Sequence, residues 1–430
     1  MTKPDTLCMA PWVHTYLSPQ TERRMCCASR EPAQNFQQYI DISAGTGVYI
    51  PLTLEEHWNS DHMQSVRRRM MSGEILPECE VCNDKLLNTS VYRSYFNSLF
   101  GHKYTEAMSN TTIDGWTDMM PVSWDYRFSN LCNFKCRTCG DMLSSSWETE
   151  QQQHKMVDWH NPKNHWMQPD IKKQITEFQT TQIEAEFAQA VEEHRIEEVY
   201  WVGGEPLMYE QHWRYMKRIV DLGDGRNVYA RYNTNLSRIN YKNINLYRDI
   251  LVHVRDWQIC ASLDGTGKIG EYIRTGLDYK HWLENFREGL KIQSHRRQMR
   301  IDFTLTLPGM FEVNNINQLG QELNVDILAK VIFSFSPDII MSPLALPRDL
   351  LHPWIDELSQ TVTGAIRDVL LQLKNRPTFQ EQWPDQYIKS LAKGKARVLQ
   401  LEKIRGDAFT LSDILSTRPQ ILEWWNQIGS

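Results

Sequence analysis

Several features are missing from this chain, and each absence excludes something. Its 430 residues contain no apolar run of roughly 18 residues, so no transmembrane helix is expected. The opening MTKPDTLCMAPW has no basic segment followed by an apolar one, so no secretory signal peptide is expected. Nine cysteines are too few for a secreted disulfide scaffold of this length. Their clustering at metal-like spacings points instead to a reducing, cytoplasmic setting. A domain-sized basic surface is also missing: 47 Lys and Arg stand against 53 Asp and Glu, a net charge of −6, which argues against a nucleic-acid partner. The short basic runs Arg67 to Met70 and Ser294 to Arg300 read as solvated helix faces, with a nucleic-acid or peptide contact as the alternative. No internal repeat or low-complexity linker is visible. The fifteen tryptophans are not interleaved with basic residues, so they read as core or interface anchors rather than a base-stacking platform.

What is present describes a globular α/β protein. Hydrophobic residues make up 41% and charged residues 23%, and the length suits one large domain with a smaller one. Residues 1–112 look irregular apart from a helix that starts at a Thr53 cap, with Glu56 three residues on, and ends at Gly73. Residues 113–343 alternate short apolar runs, at 121–128, 197–204, 227–235, 257–265, 300–307 and 329–336, with amphipathic stretches such as YKNINLYRDILVHV and KHWLENFREGLKIQ. Six strands joined by helices predict a parallel sheet, doubly wound or curled into a partial barrel, with functional residues at the C-terminal strand ends. Residues 344–430 read as mostly helical, including LHPWIDELSQTVTGAIRDVLLQLKN.

The chemistry concentrates in NLCNFKCRTCG, where Cys132, Cys136 and Cys139 follow the first strand with spacing C-x3-C-x2-C. Soft thiolate ligands select zinc or an iron–sulfur cluster. Three thiolates on a [4Fe–4S] cube leave one iron open to an exogenous ligand.

With its flanking motifs, this loop resembles that of the radical S-adenosylmethionine (radical SAM) enzymes, over about residues 120–340. WVGGEPLM (201–208) is similar to the family's glycine-glycine-glutamate-proline turn, and YNTNL (232–236) to its third strand end. ASLDG (261–265) with EYIRTG (271–276) resembles the serine and arginine of the peptide-modifying branch. Thr138 departs from the aromatic residue common before the last cluster cysteine. The resemblance implies that Cys132, Cys136 and Cys139 hold the cluster and that SAM chelates the open iron. Cleavage of SAM then yields a 5′-deoxyadenosyl radical that abstracts a substrate hydrogen. It also implies that Gly203, Gly204 and Glu205 face the methionine ammonium, that Arg274 pairs with the carboxylate, and that Ser262 and Asn233 or Asn235 contact carboxylate or ribose. Plainer readings stand beside these: Glu205 as a turn residue, Arg274 as a surface ion pair, Asn235 as a strand-end turn. No catalytic group is assigned.

Cys8, one of Cys26 and Cys27, and the pair Cys79 and Cys82 make four thiolates, a closed set. Cys26 is preferred, with Cys27 as its substitute. C-x-x-P-W, the CC pair and C-x2-C followed by S-x-x-R resemble the twitch or SPASM auxiliary cluster module, here placed before the barrel. A structural zinc is the alternative. Cys260 reads as a small core hydrophobe. His14, His57 and the histidines of 154–165 lack ligand spacing.

The expected architecture is therefore a partial (β/α)6 TIM-like barrel (113–343) with an N-terminal auxiliary cluster module (1–112) and a C-terminal helical region (344–430). The expected cofactors are two [4Fe–4S] clusters and SAM, with an electron donor such as flavodoxin or ferredoxin. The expected substrate is a peptide or protein, although no leader-recognition domain is evident at either end. The alternatives are a dehydrogenase of a small hydroxylated metabolite and, in another class, a non-catalytic metal–sulfur scaffold.

Overall fold

The computed structural model describes residues 4–30, 49–83, 91–157, 166–334 and 338–429. The chain divides into two compact units, each considered by itself. The first comprises Met1–Leu131, Glu148–Arg231 and Arg248–Trp257; the second comprises Cys132–Trp147, Tyr232–Tyr247 and Gln258–Ser430.

In the first unit, a short helix Ala10–Val13 runs directly into strand β1, His14–Leu17. β2 (Arg23–Arg24) pairs antiparallel to β1, and β3 (Ser123–Tyr126) pairs parallel to it, with His14 opposite Ser123 and Leu17 opposite Tyr126. β4 (Glu198–Trp201) is parallel to β3, and β5 (Tyr229–Thr234) follows, giving the order β5-β4-β3-β1-β2. All four residues of β1 are buried, as in a strand covered on both faces. The expectation of an irregular N-terminal region missed this strand. Trp124, Phe128, Phe187 and Trp201 pack as one aromatic cluster, with ring centroids 5.5–5.9 Å apart in the Phe128–Phe187, Trp124–Phe187 and Phe128–Trp201 pairs, so these tryptophans are core residues.

The expected capping box is present: Thr53 accepts from the Glu56 amide, and Glu56 accepts from that of Thr53. The single helix expected from there to Gly73 is two, Leu54–Trp58 and Asp61–Met71, because Ser60 supplies a second cap to the Met63 amide at 3.3 Å. Arg67 does not lie on a solvated face. It is fully buried and donates to the carbonyls of Pro11 (2.9 Å) and Trp58 (2.7 Å), and burial lowers its pKa to about 9.

The chain continues as a hairpin, β6 (Asn240–Tyr241) with β7 (Ile244–Asn245), turning through Lys242 at φ +52°. YKNINLYRDILVHV was expected to be helical; only its later part is, over Leu246–Ile250 and Leu251–His253. At its start Asn245 competes for the backbone, accepting from the Tyr247 amide (3.0 Å), and also donates to the Asn240 side chain (2.7 Å).

In the second unit, β8 (Asp256–Ser262, whose residues from Gln258 belong here), β9 (Met299–Leu305) and β10 (Asp326–Val331) run parallel, with the residues of β5 from Tyr232 beside β8, in the order β10-β9-β8-β5. The β1–β3, β3–β4, β8–β9 and β9–β10 pairings are parallel, as expected, and β1–β2 is antiparallel. β10 begins earlier than expected, and residues 335 and 336 of that expected strand lie outside the described residues. The second basic run is not a helix face: Arg296 pairs with Asp326 and Arg300 lies inside β9. The C-terminal region is helical, over Arg348–Ser359, Gly364–Lys374, Phe379–Gln382, Pro384–Arg405, Leu411–Leu415 and Pro419–Gln427.

Candidate cluster and cofactor sites

The second unit holds the three-cysteine loop, and backbone bonds fix its path. The Lys135 amide donates to the Thr275 carbonyl and the Arg137 amide to the Ile273 carbonyl, both at 2.8 Å. This lays the loop along the segment that carries Arg274. Gly276, at φ +113°, sits against Phe134: a Cβ there would meet Phe134 Cδ1 at 2.8 Å. The loop's carbonyls are also taken up. Ser144 Oγ donates to Phe134 O (2.6 Å), Ser146 Oγ to Cys132 O (2.7 Å) and Trp147 Nε1 to Cys136 O (2.7 Å).

Two expected site residues reach the loop's thiols. Arg274 Nη1 is 3.9 Å from Cys136 Sγ, and Asn235 Nδ2 is 4.0 Å from Cys132 Sγ while donating to Asn133 Oδ1 at 3.0 Å. Burial pushes the Cys136 thiol up to about 12, and Arg274 pulls the other way; burial also raises Cys139. A soft cation would displace these protons, so metal uptake here is coupled to proton release.

Arg274 is not a surface residue. Its Nε and Nη2 face Asp264 at 2.9 and 3.1 Å, and the Asp264 side chain is completely buried. Burial acts to lower the Arg274 pKa, but Asp264 and Cys136 outweigh it and the net shift is upward. Asp264 also accepts from the Thr304 amide at 2.9 Å. Asn233 donates to Asp302 (2.9 Å), which receives Lys330 at 2.8 Å, and Ser262 stands opposite Asp302 in register. Asp264, Asp302 and Lys330 were missed by sequence reasoning. Asp264 stands inside the quoted ASLDG, but Lys330 reaches Asp302 only through the β9–β10 pairing.

The glycine-glycine-glutamate turn lies in the first unit. Gly203 has φ +126°. A Cβ on Gly204 would meet Leu131 O at 2.3 Å, so only glycine allows this turn to touch the stretch that leads into Cys132. Glu205 donates its amide to Leu131 O (2.8 Å); its carboxylate is buried and accepts from the Leu207 amide (3.0 Å), so one oxygen has the turn role named as the plainer reading. Tyr209 OH links Gly204 N (2.8 Å) to Ser129 O (2.6 Å).

The first unit also gathers Cys8, Cys26, Cys79 and Cys82 around one small cavity, with Met25 and Arg93. Cys79 ends a 3-10 turn and Cys82 lies on the short helix Glu80–Asn83, three residues on, which puts both on one face. Burial raises Cys8 to about 12 and Cys79 to about 11, the latter opposed by Arg93. Cys27 is absent from the cavity lining and bonds with Tyr92. Cys260 is buried in β8. His14 bonds to Ser123 Oγ at 2.7 Å, and burial lowers its pKa to about 4. Among the described residues, no three His, Cys, Asp or Glu side chains are placed to hold a single metal ion.

No family model and no curated protein matches the chain. Among solved structures, it is similar to Streptococcus suis SuiB bound to S-adenosylmethionine, with 11% identity and a TM-score of 0.35, over 73% of this chain and 65% of that one. It is similar also to SuiB bound to the precursor peptide SuiA, with 12% identity and a TM-score of 0.34, over 71% of each chain. No helix among the described residues is long and apolar enough to cross a membrane.

Proposed function

We propose that the chain is a cytoplasmic radical SAM enzyme that acts on a peptide or protein, its parallel strands forming a partial (β/α)6 barrel. The observation that carries this reading is the three-cysteine loop, in which Cys136 is buried and Cys132 and Cys139 are half-buried. Its backbone is bonded to residues 273–275, and Arg274 and Asn235 reach its sulfurs. The donor set fits a [4Fe–4S] cube better than a single ion, because a cube spreads its thiolates over separate irons. A reduced cluster, when bound, supplies the electron that cleaves SAM to a 5′-deoxyadenosyl radical, which abstracts a substrate hydrogen.

The chain's own groups have defined parts in this reading. Cys132, Cys136 and Cys139 hold the cluster. Gly203, Gly204 and Glu205 offer backbone and carboxylate to the methionine ammonium. Arg274, oriented by Asp264, presents its remaining N–H donors to the methionine carboxylate. Asn233, Asn235 and Ser262 orient carboxylate or ribose. Cys8, Cys26, Cys79 and Cys82 would hold a second cluster, in a module of the twitch or SPASM kind, which would supply an acceptor for a substrate electron. The four thiols lining one cavity support that set over one including Cys27.

Anaerobic reconstitution with iron and sulfide tests the reading: about eight irons per chain and SAM-dependent formation of 5′-deoxyadenosine are expected. Zinc alone, with no SAM turnover, overturns it in favour of a metal–sulfur scaffold.

A further inference from the structure

The second unit contains a set of contacts that the proposed chemistry does not use. Arg137, between two of the loop's cysteines, is 2% exposed. Its Nη2 is paired with Asp407, and its guanidinium carbon is 3.9 Å from the Tyr272 ring centroid. Tyr272 OH donates to Glu402 at 2.8 Å, and Glu402 accepts the Leu411 amide at 2.7 Å. Asp407 follows Gly406, whose φ of +64° ends the helix Pro384–Arg405, and its amide returns to the Glu402 carbonyl at 3.0 Å. The same helix also reaches two neighbours of the loop, Trp147 and Thr275. Arg397 and Arg405 stand 5.4 and 4.6 Å from the Trp147 ring, which bonds the Cys136 carbonyl, and Arg405 also bonds Thr275 Oγ1 at 3.1 Å. The end of this helix and the turn after it thus hold the loop directly at Arg137 and indirectly, through Trp147, at the Cys136 carbonyl.

We propose that this C-terminal helix is a clamp on the three-cysteine loop and that Asp407, by neutralising Arg137, sets the electrostatic environment of the cluster; the second half rests on the function proposed above. Reduction adds negative charge to a cluster, so an unneutralised Arg137 favours the reduced state and an unneutralised Asp407 disfavours it.

Full-length Asp407→Asn, Arg137→Met and the double variant test the two halves. The clamp is read without metal, by amide exchange at Lys135 and Arg137. Asp407→Asn is expected to lose at least about tenfold protection there, the equivalent of a charged hydrogen bond. Exchange within twofold of wild type overturns the clamp, whatever the loop binds. The electrostatic half is read after reconstitution, as the reduction potential of the paramagnetic signal that SAM alters. It is expected to rise in Asp407→Asn, fall in Arg137→Met and return towards wild type in the double variant. Shifts of one sign, no shift, or iron lost from both single variants overturn it. Absence of any SAM-responsive signal in the wild type counts against the proposed function and with it the electrostatic half, while exchange still decides the clamp.

Discussion

Replacing Gly204 by alanine puts a methyl group where there is no room. The new Cβ would sit 2.3 Å from Leu131 O and 2.8 Å from both the carbonyl carbon and oxygen of Asn130. All three are backbone atoms, so no side-chain rotamer relieves the clash. An ordinary contact of about 3.5 Å requires the two segments to part by about 1 Å. That movement breaks the 2.8 Å bond from the Glu205 amide to Leu131 O. Overpacking costs about 1–3 kcal/mol and the lost bond about 1 kcal/mol more, a total of about 2–4 kcal/mol. Amide exchange at Glu205 reads this locally, as a loss of protection of roughly 30- to 900-fold. Gly101→Ala, where a Cβ meets nothing within 4 Å, serves as the control and should change stability by less than about 0.5 kcal/mol. Unchanged protection at Glu205 in Gly204→Ala refutes the close-approach argument.

Arg274→Ala leaves Asp264 buried without its partner and should destabilise the protein by about 3–5 kcal/mol. Combining it with Asp264→Asn should restore more than half of the denaturant midpoint, while SAM affinity stays down by roughly 10- to 150-fold with iron retained. His14 and His57 are buried and neutral, with folded pKa values lowered by burial to about 4 and about 3. The unfolded chain therefore binds more protons below about pH 6.5, and stability present above that pH is lost as pH falls towards 4; urea midpoints between pH 7 and 4 should drop less steeply in His57→Gln. Cys79→Ala/Cys82→Ala should remove about four irons per chain and uncouple SAM cleavage from product, as followed by iron content, 5′-deoxyadenosine and substrate mass; wild-type iron content contradicts the ligand assignment.

The strands that carry the proposed site were legible because each is a short apolar run bounded by turn residues, and the three-cysteine loop was legible because thiol spacing is a local property. β1 was not: HTYL is four residues long, too short for periodicity, and becomes a strand only by pairing with β3. Asp264 and Arg274 are ten residues apart in a stretch that was quoted, yet their pairing depends on how the helix Gly267–Ile273 folds back. Arg67 looked like part of a solvated basic run because charge is local information; its burial depends on carbonyls as distant as Pro11. The grip of Asp407 on Arg137 spans 270 positions and leaves no trace in the sequence.

The central claim is that three thiolates at Cys132, Cys136 and Cys139 hold the cluster that cleaves SAM. Its most direct test is 5′-deoxyadenosine formation by anaerobically reconstituted wild type and Cys136→Ala under a strong reductant. The account predicts SAM cleavage by the wild type and none by Cys136→Ala, which should keep about four irons per chain at the N-terminal cysteines. Cleavage retained in Cys136→Ala would contradict it.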